Sequence, residues 1–192
     1  KIMVSYQKYT VKIPEKIEIL HHIKNNVIVI IGRLGKKVLR FKTKIIIDNK
    51  LKIVELTTDS LFIKNNVAKK KIKSYQGTSL SLLKQSFLEV SVFLYKKIKL
   101  IGIGYKAFIE NIFDQKFLIL KLGYSHNIYF KIPLNITVTC LKSDKIFIMG
   151  NSYEKMTQIA SIIKSYKLPE PYKGKGILYE NEKILLKEGK KI

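Results

Sequence analysis

The sequence has no tryptophan, a single cysteine and only two arginines. The lone cysteine, Cys140, excludes an internal disulfide and is typical of a protein in a reducing compartment. No apolar run approaches the roughly 18 residues that a membrane-spanning helix needs. The first residues have neither the apolar core of a signal peptide nor the arginine-rich pattern of a transit peptide. We therefore expect no disulfide framework and no membrane partner.

Positive charge is what the chain has in excess. Its 192 residues include 37 Lys and Arg against 14 Asp and Glu, a formal net charge of +23. Such a charge is self-repulsive unless a polyanion offsets it. Nucleic acid is the favoured polyanion, with an anionic membrane surface as the lesser alternative. Because 46% of the residues are hydrophobic, the chain can build packed cores and is not a disordered polycation.

Hydrophobic patterning predicts a first domain over residues 1–96. Period-2 alternation and turn signals predict strands at residues 13–19, 27–31, 38–41, 45–47 and 51–56. The lysine-rich run 69–73 is interpreted as a connector, either solvated or facing RNA. Apolar residues spaced by three and four from Leu80 to Leu94 predict a helix, capped by Thr78 or Ser79. Lysines 96, 97 and 99 would then lie at its C-terminal end.

A second domain is predicted over residues 97–168. Strands are expected at residues 104–110, 116–122, 128–132, 136–141 and 146–149. A helix over about 152–166 would bury Met156, Ile159, Ala160 and Ile163. The two halves repeat, since Ile13-Pro14, Ile17, Ile19, Val27 and Val29 find counterparts at one offset in Ile132-Pro133, Ile136, Val138, Ile146 and Ile148. The predicted fold is α+β: two tandem similar domains, each an antiparallel sheet covered by a helix, and a basic C-terminal extension at residues 169–192.

No constellation for catalysis emerges. His21 and His22 are adjacent, and no acidic cluster accompanies them, so a zinc site is not indicated. Ser125 and His126 are sequence neighbours without an orienting carboxylate, which favours a turn over a nucleophile pair. The glycines at 102 and 104, and those at 174 and 176, lack the spacing of dinucleotide or phosphate loops. We expect no enzyme, cofactor or small-molecule substrate.

The segment Lys167-Leu-Pro-Glu-Pro-Tyr-Lys-Gly-Lys-Gly-Ile177 organises the second half of the chain. Its two prolines end the preceding helical pattern near Tyr166. Its two glycines allow the backbone to pass close to another backbone, either its own or a phosphodiester chain. Exposed bases stack on aromatic rings and phosphates attract ammonium groups, so the segment fits a loop pressed against RNA. The alternative is a solvated turn whose lysines confer solubility.

The same segment resembles the signature of the universal sixth protein of the large ribosomal subunit, bacterial type, through Pro169-Glu-Pro-Tyr-Lys-Gly-Lys-Gly-Ile177. Upstream, Leu100-Ile-Gly-Ile-Gly-Tyr-Lys-Ala107 is similar to that family's Leu-x-Gly-Val-Gly-Tyr-Arg-Ala, and Leu122-Gly-Tyr-Ser-His126 to its Leu-Gly-Tyr-Ser-His. There are departures: Gln85-Ser-Phe-Leu-Glu-Val90 replaces Asn-Met-Val-x-Gly-Val, Asn151-Ser-Tyr-Glu154 replaces Asp-Lys-Gln, and Leu178 replaces an arginine.

The resemblance implies a structural constituent of the large subunit that supports translation. It would bind large-subunit rRNA near the sarcin–ricin loop and the base of the factor-binding stalk, beside neighbouring ribosomal proteins. The implied rRNA-binding residues are Lys167, Pro169, Glu170, Tyr172, Lys173, Gly174, Lys175, Gly176, Lys187, Lys190 and Lys191. The alternative function is that of a free RNA-binding or RNA-chaperone protein acting off the ribosome.

Residue usage bears on location. Basic residues are almost all lysine, and Ile, Asn, Tyr and Phe abound, as A/T-rich codons would produce. With no recognisable import segment, this bias favours an organelle-encoded chain. We predict a mitochondrial ribosome, with a plastid or the cytoplasm of an A/T-rich bacterium as alternatives.

Overall fold

A computed structural model describes residues 9–48, 50–57 and 66–189, and the chain divides into two compact units, residues 1–92 and 93–192. Within these described ranges each unit combines antiparallel sheets with one helix, so the predicted α+β class is confirmed. The division between the units falls a few residues before the predicted boundary at residue 96. The described part of the predicted extension 169–192, residues 169–189, belongs to the second unit.

The described residues of the first unit form two three-stranded sheets and one long helix. Its elements are β1 (Thr10–Lys12), β2 (Glu18–His22), β3 (Val27–Gly32), β4 (Gly35–Arg40), β5 (Lys44–Asp48), β6 (Ile53–Thr57) and α1 (Asn66–Ser91). The strand orders are β2-β3-β4 and β1-β6-β5, with every pairing antiparallel. Because side chains alternate along a strand, Ile28 and Ile30 of β3 are fully buried and share the core with Leu83 and Phe87 of α1.

Helix α1 corrects two predictions for the first half. It begins at Asn66, so the lysine-rich run is helical rather than a connector, and neither Thr78 nor Ser79 is its cap. The buried face continues N-terminally through Gln76 and Ser79, which are polar and therefore escape the hydrophobic pattern. Gln76 is satisfied because its Nε2 donates to the Leu56 carbonyl at 3.1 Å.

The second unit is built around a four-stranded sheet. Its elements are β7 (Leu94–Ile101), β8 (Lys106–Ile112), β9 (Gln115–Lys121), β10 (Ile128–Lys131), β11 (Ile136–Lys142), β12 (Lys145–Gly150), α2 (Tyr153–Ser165) and β13 (Gly176–Tyr179). The strand orders are β11-β12-β7-β13 and β10-β9-β8. Helix α2 buries Met156, Ile159, Ala160 and Ile163, which confirms the predicted helix and its buried face.

Two strands of this sheet differ from the prediction. The helical pattern placed Leu94 and the lysines after it at the end of a helix, whereas α1 stops at Ser91 and these residues form β7. Strand β7 pairs on both sides, with β12 and with β13. Its alternation of lysines with buried Ile98 and Leu100 is the signal of a strand with one open face. Strand β13 is not predicted by pattern because its first residue belongs to the proline- and glycine-rich segment.

The two units repeat, but not in the alignment that the single offset predicts. In the first unit the meander β2-β3-β4 lies in the chain between β1 and the hairpin β5-β6, and β1 pairs with β6. In the second unit the meander β8-β9-β10 lies likewise between β7 and the hairpin β11-β12, and β7 pairs with β12. Strand β3 therefore corresponds to β9, and β12 corresponds to β6, so the predicted matches of Val27 and Val29 with Ile146 and Ile148 are wrong.

Candidate nucleic-acid interface

A short loop follows α2 and holds most of the residues that sequence reasoning selects. We call residues 167–176 the interface loop. Helix α2 ends at Ser165, and its cap Tyr166 still has helical dihedral angles. The loop then closes on itself, because the Glu170 N–H donates to the Lys175 carbonyl and the Gly174 N–H donates to the Glu170 carbonyl, both at 2.9 Å. Its tip is therefore a fixed turn rather than a free strand of chain.

Gly176 lets the two ends of the interface loop lie against each other. A Cβ at this position would lie 2.6 Å from Pro169 Cα and 2.8 Å from the Leu168 carbonyl oxygen. Directly after it, the Ile177 N–H donates to the Lys167 carbonyl at 2.9 Å. Gly176 is buried. The backbone that it approaches is that of Leu168 and Pro169 in the same chain.

The polar tip of the loop faces outward. Tyr172 is 55% exposed, Lys173 is exposed and Lys175 is partly exposed. Pro169 is partly buried and Glu170 is exposed. An aromatic ring and two ammonium groups are thus accessible at one turn, the combination that suits a stacked base and its phosphates.

The other two motifs that carry the resemblance, residues 100–107 and 122–126, are brought together by the ring of Tyr105. The ring of Tyr105 covers Gly102, where a Cβ would lie 2.7 Å from Tyr105 Cε2. The same ring covers Gly123, where a Cβ would lie 3.2 Å from Tyr105 Cε1. The two motifs flank the paired strands β8 and β9, in which Lys106 lies opposite Lys121.

Tyr124 joins this pair of motifs to the interface loop. Its hydroxyl donates to the Tyr166 carbonyl at 3.1 Å, and the Lys167 ammonium lies 4.2 Å from its ring centroid. The His126 ring stacks on Tyr124 with 5.8 Å between centroids. The three motifs therefore form one surface, with a cation–π contact at its centre. Tyr124 is absent from the predicted site residues, although it lies within one of the motifs that carry the resemblance.

Tyr166, directly before the interface loop, packs into the core of the second unit. Its ring contacts Phe130 edge-to-face, with 6.4 Å between centroids, and packs against the core of the second unit. This agrees with the interpretation of Tyr166 as a core residue rather than as an RNA contact.

The segment after β13 returns to the loop. The Lys187 N–H donates to the Pro171 carbonyl at 2.9 Å, and Leu186 lies 3.4 Å from the position of a Cβ on Gly174. Gly174 is buried by this contact. The predicted site residue Lys187 is exposed beside the loop, whereas Lys190 and Lys191 lie outside the described residues.

Ion pairs anchor the same segment. Lys164 of α2 pairs with Glu182, and Lys97 of β7 pairs with Glu180 at 3.3 Å. The hydrogen bond from Lys164 lowers the pKa of Glu182, against an opposing effect of burial, and the Tyr179 N–H adds a second hydrogen bond. These carboxylates are engaged by neighbouring lysines, so they do not cancel the charge of the exposed loop lysines.

The described residues of the site supply groups that are suited to binding. Among the described residues, no group of His, Cys, Asp and Glu side chains is arranged to hold a metal ion. Neither described helix is long and apolar enough to cross a membrane. What the surface presents is ammonium groups, aromatic rings and backbone held in place by hydrogen bonds.

Comparison with known proteins finds a family profile and several relatives to which this chain is similar. Residues 101–180 match the family profile described as "Ribosomal protein L6". The chain is similar to "Large ribosomal subunit protein uL6" of Rhodospirillum rubrum, with 34% identity over 184 residues that cover 96% of this chain and 97% of the relative. It is also similar to "Large ribosomal subunit protein uL6m" of Reclinomonas americana, with 40% identity over 187 residues that cover 94% and 95%. The corresponding protein of Mycoplasma capricolum is 36% identical over 166 residues, 86% of each chain.

Proposed function

The chain belongs to the ribosomal protein L6 family, and from that membership we propose that its interface loop binds large-subunit rRNA. The family gives it a structural role in the large ribosomal subunit, in translation, rather than that of an enzyme. Following the resemblance, the rRNA site lies near the sarcin–ricin loop and the base of the factor-binding stalk, with other large-subunit proteins as neighbours. The protein would fix the local shape of the RNA where elongation factors land.

The observation that carries this proposal is the rigid presentation of Tyr172, Lys173 and Lys175. Hydrogen bonds across residues 170–175, and the close approach of Gly176 to Pro169, hold these side chains on a turn whose shape does not depend on RNA. Binding to a preformed turn avoids much of the entropy that ordering a flexible basic tail would cost. Lys167, over the ring of Tyr124, adds a further cation to the same surface.

Charge reversal at the tip tests the site. The double variant Lys173→Glu/Lys175→Glu is expected to bind a large-subunit rRNA fragment containing the sarcin–ricin loop at least tenfold more weakly, with a salt dependence of log Kd that is shallower by about one to two units. Thermal stability should stay nearly unchanged, because Lys173 is exposed and neither lysine forms an ion pair among the described residues. Lys131→Glu/Lys155→Glu, at exposed positions on β10 and α2, is the matched control. Equal affinities for the two double variants would contradict the proposal.

Stoichiometry distinguishes a ribosomal constituent from the alternative of a free RNA-binding protein. In a sucrose gradient at about 0.5 M salt, where weak phosphate contacts are largely lost, a ribosomal constituent should migrate with the large subunit at one copy per rRNA. Migration at the top of the gradient would favour the mobile role.

For the location we propose a mitochondrial ribosome. The lysine-rich, alanine-poor composition supports it, and the relative from Reclinomonas americana is 40% identical. Bacterial relatives are similarly close, so a plastid or an A/T-rich bacterium stays open. Sequencing the genome compartment that encodes the chain decides among the three.

A further inference from the structure

The sheet β11-β12-β7-β13 covers the core with one face and leaves much of the other face open. Ile98, Leu100, Ile146 and Ile148 point into the core with the buried residues of α2. Their neighbours in the chain must point to the opposite side. We call this second side the open face and define it by Tyr95, Lys97, Lys99, Lys142, Lys145 and Phe147. At β13 the face is closed again, since Leu178 is only 4% exposed.

Three lysines form a row across the open face. Lys142 on β11 lies opposite Lys145 on β12, and Lys145 lies opposite Lys99 on β7. Neighbouring strands are about 4.8 Å apart, so the row extends roughly 10 Å. Like charges directly opposite each other destabilise a sheet. In the described part of the chain neither Lys142 nor Lys145 forms an ion pair, whereas the Lys99 ammonium donates a hydrogen bond to the Glu180 carbonyl at 3.4 Å.

Two aromatic rings lie beside the lysine row. Tyr95 lies opposite Met149, and Phe147 lies opposite Lys97, so the two rings are diagonal neighbours on β7 and β12. The Lys97 ammonium lies between them, 5.5 Å from the Tyr95 centroid and 5.1 Å from the Phe147 centroid. Lys97 also pairs with Glu180, which holds its side chain in place. Tyr95 is 59% exposed and lies near the start of β7, where β12 alone pairs with that strand, and Phe147 is partly buried.

We propose that the open face is a second RNA-binding surface, specific for unpaired nucleotides. Bases stack on Tyr95 and Phe147, and the adjoining phosphates lie along the row of Lys99, Lys145 and Lys142. An antiparallel sheet with an exposed aromatic ring and a partly exposed one beside it is suited to splayed single-stranded bases, while a duplex keeps its bases out of reach. The inference rests on the proposed function for the identity of the polymer, but it concerns residues separate from the interface loop.

The observations favour RNA over a protein partner for this face. A docking protein would have to cover the lysine row with carboxylates of its own. A phosphodiester strand supplies regularly spaced negative charge together with bases that can stack on the rings. The net charge of +23 points to the same class of ligand.

The absence of tryptophan provides a direct test. Tyr95→Trp in the full chain introduces a single indole into a protein that has none. The probe is an unstructured RNA of mixed sequence of about ten nucleotides, a length within the range that a small binding domain covers. Stacking of a base should quench the indole emission, and the same RNA annealed to its complement should quench it much less. Tyr129→Trp on β10, which replaces a tyrosine that is 56% exposed, is the matched control and should respond weakly to either RNA.

Loss of a ring should weaken binding of the same oligonucleotide. Tyr95→Leu is expected to raise its Kd about tenfold, since removing one stacking ring typically has an effect of that order, while Tyr129→Leu leaves it unchanged. Lys173→Glu/Lys175→Glu should not alter quenching at Tyr95→Trp, so failure of the interface loop and failure of the open face are distinguishable. Equal quenching of the two tryptophan variants, or equal quenching by single-stranded and duplex RNA, would overturn the proposal and leave the face to a protein partner or to solvent.

Discussion

Gly176→Ala is the substitution for which the structure gives the sharpest expectation. The new Cβ would lie 2.6 Å from Pro169 Cα and 2.8 Å from Pro169 N, both backbone atoms that cannot rotate away. The residue also has a φ of +152°, which L side chains rarely adopt. The variant must therefore either open the interface loop or shift the start of β13.

The size of the effect follows from these two costs. Overpacking a close-packed site costs about 1–3 kcal/mol, and holding a non-glycine residue in a disfavoured backbone region costs on the order of 1–3 kcal/mol. The reduced entropy of the unfolded chain offsets only about 0.4–1 kcal/mol. We expect the free energy of unfolding of the second unit to fall by about 1–5 kcal/mol, which lowers Tm by at least roughly 4 °C for a domain of this size.

Scanning calorimetry and urea unfolding of the full chain measure this loss. Gly174→Ala is the matched control in the same loop, because its Cβ would meet only Leu186 Cδ2 at 3.4 Å, an ordinary contact. Its positive φ of +69° should cost about 1 kcal/mol. If Gly176→Ala were no more destabilising than Gly174→Ala, the close approach to Pro169 would not be what shapes the loop.

Three further changes probe other parts of the chain. Gly77→Ala should stabilise the first unit by about 0.5–1 kcal/mol, because Gly77 lies inside α1 and a Cβ added there would have nothing within 4 Å; a loss of stability in urea unfolding would contradict this. Tyr124→Phe removes the hydrogen bond to the Tyr166 carbonyl and should lower the stability of the second unit by about 1 kcal/mol, with an unchanged Tm as the opposing result. Glu182→Gln tests the bond from Lys164: because the folded-state pKa of Glu182 lies below 4.5, the carboxylate contributes stability above that value and loses it as pH falls through the lowered pKa. The stability difference between wild type and Glu182→Gln should therefore be present at neutral pH and vanish in acid, and a difference that is constant with pH would refute it.

Much of the second half of the chain is predictable because its local signals agree with its packing. The four buried residues of α2 stand at helical spacing in the sequence and face the core in the structure. The interface loop is also recognisable, since its prolines and glycines constrain the backbone whatever the surroundings. In the first half, the start of α1 escapes prediction because Gln76 and Ser79 are buried against partners that only the fold supplies, the Leu56 carbonyl on β6 and the Thr43 side chain just before β5.

The sequence by itself determined the fold class, the family resemblance and the position of the charged loop, because these depend on residue pattern along the chain. The tertiary structure alone decided which residues become neighbours. It brought Tyr124 to Lys167, turned Gly176 toward Pro169, and placed Lys142, Lys145 and Lys99 side by side on one sheet. The physical reason is that strand pairing and chain reversal join residues far apart in sequence, and no local periodicity encodes which strands pair or in which register.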